Sequence, residues 1–182
     1  METIQEKYTR LRPQIEDGDL ILFHGTKALA KLIQWCDSSY YNHVGVVVKQ
    51  HGALFIVDAN GDGVQADRLS ERINSYKRYA DFTVLKPLAK RELINDAMLY
   101  LLKRSDNKTI KYDYNNGVKE LFNRKFKPTF KIQENTDNRA ICSSNVFQYA
   151  ITLEMVTDEF KSLRIAFPQD YIRYINRVER ID

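Results

Sequence analysis

The sequence predicts an α+β domain with an antiparallel sheet at its centre. Three observations predict it. Residues 43–48 (HVGVVV) and 53–58 (ALFIVD) are dense in β-formers and flank His51-Gly52, which is the pattern of a hairpin. Residues 91–103 place Leu93, Ala97 and Leu101 in one row and Ile94, Met98 and Leu102 in the next, which is helical spacing. Residues 142–155 are helical again, with Val146, Phe147, Ala150 and Ile151 inward. Strands dominate the middle of the chain and helices flank them.

The other elements follow in order. Residues 1–17 are polar and charged and suit a short helix or an arm. Residues 19–23 (DLILF) read as a buried strand introduced by a turn at Gly18. Residues 28–35 (ALAKLIQW) have helical spacing, with Leu29, Leu32 and Ile33 on one side, and residues 37–41 form a polar, aromatic loop. After the hairpin, residues 63–66 suit a short strand. Residues 67–79 suit a charged helix with Leu69, Ile73 and Tyr76 aligned. Residues 82–85 (FTVL) read as a strand ended by Pro87. Residues 105–140 are polar and basic and are expected to be an irregular insertion. The tail from Pro168 carries Tyr171, Ile172, Tyr174 and Ile175 and is expected to pack back on the body.

At 182 residues the chain is sized for one domain, spanning 1–182. Hydrophobic residues are 43% and aromatics 12%, enough for a core, while 7 Gly and 4 Pro exclude a collagen-like or linker-rich chain. The net charge of +4 is mild and scattered, so no nucleic-acid partner is expected. Two cysteines build no disulfide scaffold, no CxxC pair suggests zinc, and a reducing, cytoplasmic setting is expected. The first residues lack the apolar run of a signal peptide, although an exported form from which one was removed stays open. No stretch approaches the roughly 20 apolar residues of a membrane span.

Cys142 is the residue to weigh first. It stands just before a helical pattern, where unsatisfied N–H groups and the helix dipole stabilise a thiolate. That lowers the pKa from its free value of roughly 8.5 and makes the sulfur a nucleophile. A small buried core cysteine is the plainer reading of the same residue. His43 enters an apolar strand from a polar loop, a position that aims a ring into a cleft. If His51-Gly52 is a two-residue turn, position i pairs with 103 − i. Asp58 then lies diagonal to His43 on one face, roughly 7–8 Å away, within reach of longer side chains. A one-residue slip would flip Asp58 to the other face and make Asn60 the substitute.

In order and relative spacing, residues 18–23 (GDLILF), 41–47 (YNHVGVV), 57–59 (VDA) with Gly63-Val64, and Cys142-Ser143-Ser144 resemble the circularly permuted papain-like, NlpC-related thiol hydrolases. The YiiX/YaeF-like branch is the nearest in pattern. The resemblance spans residues 17 to 172 and includes Tyr112-Asp113 and Pro168-Gln169-Asp170. It implies a small barrel-like sheet packed against the helix that carries the cysteine. It implies Cys142 as nucleophile, His43 as base and Asp58 as the orienting residue, where relatives usually have Glu. A cysteine hydrolase of amide bonds is therefore expected, acting on a peptide, a cell-wall fragment or an amidated acyl group through a thio-acyl enzyme, with no cofactor. The alternatives are a lipid acyltransferase or deacylase of the lecithin–retinol acyltransferase-like type, and a relative that binds peptide or lipid without turnover.

The Cys142 N–H is expected to supply one oxyanion donor, with Tyr112, Tyr114 and Asn60 as candidates for another. Cys36 reads as core, His24 as a strand-end residue and His51 as a turn residue. His24, Cys36, His43 and Asp58 match no zinc spacing. Asp19 reads as a turn former. Residues 119–131 (KELFNRKFKPTFK) interleave cations with Phe122, Phe126 and Phe130. They suit a flap, a membrane-surface or nucleic-acid contact, or a solvated insertion, and Pro128 argues against one long helix.

Overall fold

The computed structural model describes residues 2–60, 63–74, 78–105, 111–112, 114–126, 139–140, 142–163 and 165–182. Side chains at 104–105, 111–112, 114, 139–140 and 142–145 lie outside that description. The elements are α1 (Ile4–Leu11), β1 (Leu20–Gly25), α2 (Ala28–Asp37), β2 (His43–Gln50), β3 (Ala53–Asn60), β4 (Gly63–Arg68), α3 (Leu69–Asn74), β5 (Tyr79–Pro87), α4 (Arg91–Ser105), β6 (Lys111–Tyr112), α5 (Tyr114–Phe126), β7 (Arg139–Ala140), α6 (Cys142–Thr152), α7 (Asp158–Lys161), α8 (Asp170–Arg173) and β8 (Val178–Ile181).

The main sheet is antiparallel with strand order β4-β3-β2-β1-β5-β8. It is mixed α+β as expected, but it does not close. β4 and β8 are edges among the described strands, so the expected barrel-like sheet is an open one. Both faces are covered. Val44, Val46, Val48, Val57 and Ala59 point at α4 and α6, while Ile21, Phe23, Val47, Ile56 and Phe82 point at α1 and α3. Burial on both faces explains the unbroken apolar run of β2, since a half-exposed strand would alternate.

The hairpin between β2 and β3 turns on His51 (φ 49°) and Gly52 (φ 78°), and two positive φ values suit a type I′ turn. Gln50 pairs with Ala53 and Val46 with Val57, so the ladder keeps the register in which partners sum to 103.

Two segments differ from expectation. Asp67 and Arg68 pair with Ile56 and Phe55 as the end of β4, and Tyr79 opens β5, so among the described residues the helix expected over 67–79 is Leu69–Asn74. Tyr76 lies outside the described residues. Residues 114–126, expected to be irregular, form α5. Its polar composition hid a buried side, Asn116, Gly117 and Leu121, and an anchoring arginine. Arg124 bonds Asp170 at 2.8 Å, Asp37 at 3.2 Å and the Ile165 carbonyl, and its guanidinium lies 4.6 Å from the Phe167 ring centroid. Phe130 and Pro128 fall outside the described residues.

Candidate active site

His43 opens β2 and pairs with Phe23 of β1. Its ring is wedged between aromatic neighbours, with centroids 6.0 Å from Phe23 and 6.1 Å from Tyr79. That packing fixes the imidazole plane. His43 Nε2–H donates to Asp58 Oδ2 at 2.8 Å. With Nε2 protonated, Nδ1 of the neutral ring is the proton acceptor.

The diagonal contact needs room between the strands, and Gly45 provides it. A Cβ there would lie 2.6 Å from Ile56 Cγ1 and 3.1 Å from Asp58 Cβ. Without one, Asp58 leans across β2 toward His43.

Asp58 is fully buried, and its second oxygen is also held. Arg72 Nη2 donates to Asp58 Oδ1 at 2.8 Å. The same nitrogen reaches Asp67, the same-face neighbour of Asp58 on β4. Arg72 is itself buried, so the carboxylate faces a desolvated cation instead of water. Sequence reading missed Arg72. The available signal was an arginine inside the Leu69–Ile73 core stripe of a short helix, since such a charge must find a buried acid.

Beside His43 lies a cavity of about 370 Å³. Asn42, Asn60, Tyr79 and the first turn of α2 contribute to its wall. Asn42 is buried and accepts the Gly25 N–H, which ties the entry of β2 to the end of β1. Asn60 is buried and donates to Gln65 at 3.3 Å.

Cys142 is the first residue of α6, and its side chain lies outside the described residues, as do those of Tyr112 and Tyr114. α6 packs over β2 and β3 through Val146, Tyr149 and Ala150. Tyr149 Oη donates to the Gly18 carbonyl at 2.6 Å, which ties the later turns of α6 to the beginning of β1. Cys142 is seven residues earlier, about 10 Å back along the helix axis. α6 covers the sheet face opposite the one from which His43 and Asp58 project. A meeting of Cys142 with His43 therefore has to occur around the end of the sheet and not through it.

The remaining candidates have structural partners. Cys36 is buried with Leu121, Ile165 and Phe167, and burial pushes its thiol pKa up. His24 bonds the Tyr40 carbonyl at 2.7 Å and stacks on that ring. Asp19 accepts the Glu16 N–H and the Lys86 ammonium, and burial raises its pKa. No group of three or more metal-ligating side chains occurs among the described residues. No helix of the described residues is long and apolar enough to cross a membrane.

No family model matches the sequence, and no curated protein matches it. Among solved structures, the chain is similar to the metalloprotein yiiX of Escherichia coli O157:H7, DUF1105, with a TM-score of 0.63 and 14% sequence identity. The match covers 93% of this chain and 97% of that one, so the chain has a YiiX-like fold over that span.

Proposed function

We propose that the protein is a permuted papain-like cysteine hydrolase that cleaves an amide bond through a thio-acyl enzyme on Cys142. The observation that carries this reading is the buried His43–Asp58 pair beside a cavity, with the ring clamped by aromatics and the acid clamped by an arginine. A histidine oriented by a carboxylate through one nitrogen is arranged to take a proton on the other.

In the proposed reaction His43 Nδ1 takes the thiol proton. The sulfur attacks the carbonyl carbon, and the protonated imidazole gives its proton to the departing amine. Water, activated by the same nitrogen, then breaks the thioester and releases the acid. Asp58 stabilises the imidazolium and is not itself protonated. The Cys142 N–H, with Asn60, Tyr112 or Tyr114, would hold the oxyanion.

The fold neighbour is a metalloprotein. Here the Asp58 carboxylate is already matched to His43 and Arg72, and a cation bound to it would sit against a guanidinium. That arrangement suits proton transfer better than metal ligation. A lipid acyltransferase or a peptide- or lipid-binding protein without turnover would use the same groove.

The test is acyl trapping. The protein is incubated with activated amide and ester substrates, quenched in acid, and mapped by mass spectrometry. A substrate-sized acyl group on Cys142, absent in His43→Ala, is the expected result. Turnover that survives Cys142→Ala overturns the mechanism.

A further inference from the structure

Two backbone facts bring a pair of cations to the rim of the cavity. The Thr26 N–H donates to the Arg78 carbonyl at 3.0 Å, and Gly25 pairs with Tyr79 where β1 meets β5. Lys27 and Arg78 are therefore held side by side at one end of the sheet, and both line the cavity with His43. No carboxylate is among its described lining residues. Asp58 stands behind His43, wholly buried and already paired. Leu29, Ala30 and Ile33 of α2 give the cavity an apolar wall.

We infer that this cavity takes an acidic substrate: a short acyl amino acid or peptide whose terminal carboxylate is held by Lys27 and Arg78 and whose small aliphatic side chain lies on Leu29, Ala30 and Ile33. The inference rests on the hydrolase reading only for which bond is cut, since recognition by charge and shape needs no chemistry. Two cations facing a space with no carboxylate among its described lining residues attract an anion. An arginine and a lysine together suit a carboxylate, which accepts from both. The cavity is at the small end of ligand sites, which fits a single residue better than a long acyl chain.

The test measures binding on the Cys142→Ala protein, so that turnover plays no part. N-acetylleucine, N-acetylleucinamide and dihexanoyl phosphatidate are titrated calorimetrically at low and at raised salt. The acid should bind about tenfold tighter than the amide, one charge-assisted contact's worth, with a gap that narrows as salt rises. Lys27→Gln and Arg78→Gln should each shrink the gap, and Arg78→Lys should retain most of it. Both side chains are at the surface or only partly buried, so these variants should melt with wild type. Equal binding of acid and amide, no binding of either, or a gap unchanged in the double Gln variant overturns the inference. Tighter binding of the phosphatidate overturns the peptide assignment. Failure of acyl trapping with the acid preference intact would instead sink only the hydrolase.

Discussion

Arg72 and Asp58 form a buried ion pair, Nη2 to Oδ1 at 2.8 Å, on the sheet face opposite α6. Asp58 therefore has two duties. One oxygen orients His43, and the other neutralises an arginine that water cannot reach.

Asp58→Asn should cost stability as well as activity. An amide oxygen can still accept from His43, so the ring keeps part of its orientation. The buried guanidinium, in contrast, loses the Asp58 charge and keeps its bond to Asp67. Stranding a buried charge costs about 3–5 kcal/mol, and the remaining partner puts the expected loss near about 3 kcal/mol. Urea unfolding measures it. The double variant Asp58→Asn with Arg72→Met should recover most of the loss, and a double variant less stable than either single one contradicts the pairing.

Cys142 should outcompete Cys36 for iodoacetamide. Cys36 is buried and burial raises its thiol pKa, so it should label slowly until the protein opens. Cys142 starts a helix of eleven residues, where the dipole favours a thiolate. Labelling rates across pH, read by peptide mapping, should show Cys142 reacting at neutral pH. His43→Ala should slow that reaction and leave Cys36 unchanged. Equal rates at the two cysteines argue against an activated thiol.

Gly45→Ala should destabilise although alanine is a modest residue in a strand. The new Cβ would lie 2.6 and 2.7 Å from Ile56 Cγ1 and Cδ1, and Ile56 has no exposure through which to retreat. Overpacking of this kind costs about 1–3 kcal/mol. Ile56→Ala removes both clashing atoms, so the two substitutions together should cost less than their sum. Additive losses in thermal melts would place the strain elsewhere. Activity should fall too, because the Asp58 Cβ is the next atom displaced.

The His43–Asp58 relationship was legible because a hairpin with a two-residue turn has a fixed register, and register fixes which side chains share a face. Arg72 was not legible, because the tertiary return of a short helix onto β3 leaves no periodic trace. The same holds for the pairing of Thr26 with Arg78, which aligns residues far apart in sequence through the Thr26 N–H and hydroxyl on one carbonyl. α5 was missed for a different reason. Its stability comes from Arg124 meeting Asp37 and Asp170, which are separate polar residues in the sequence and become one buried cluster in the fold. The open sheet differs from the barrel-like one that the family resemblance implied, since strand order among distant segments is set by packing and not by any local signal.

Asp37 should make the protein less stable as pH rises through the mildly acidic range. It is the last residue of α2, at the negative end of the helix dipole, and its side chain is 2% exposed. Its Oδ2 has no hydrogen-bond partner among the described residues. Burial pushes its pKa up from 3.8 to about 6, against the opposing pull of Arg124 and with help from the charge of Asp170. The folded protein thus binds a proton that the unfolded chain releases between about pH 4 and pH 6. Unfolding free energy then falls with pH across that window, and the contribution is complete below about pH 4 and gone above about pH 6. A rise of about two pH units corresponds to about 3 kcal/mol at most. Asparagine mimics the protonated acid, so Asp37→Asn should match wild type near pH 4 and exceed it in stability near pH 7. Other carboxylates pull wild-type stability the opposite way, so the quantity to follow is the difference between variant and wild type. Urea unfolding of both proteins across pH measures it. A difference that stays constant, or that favours wild type as pH rises, shows that Asp37 is ionised and well paired in the folded protein.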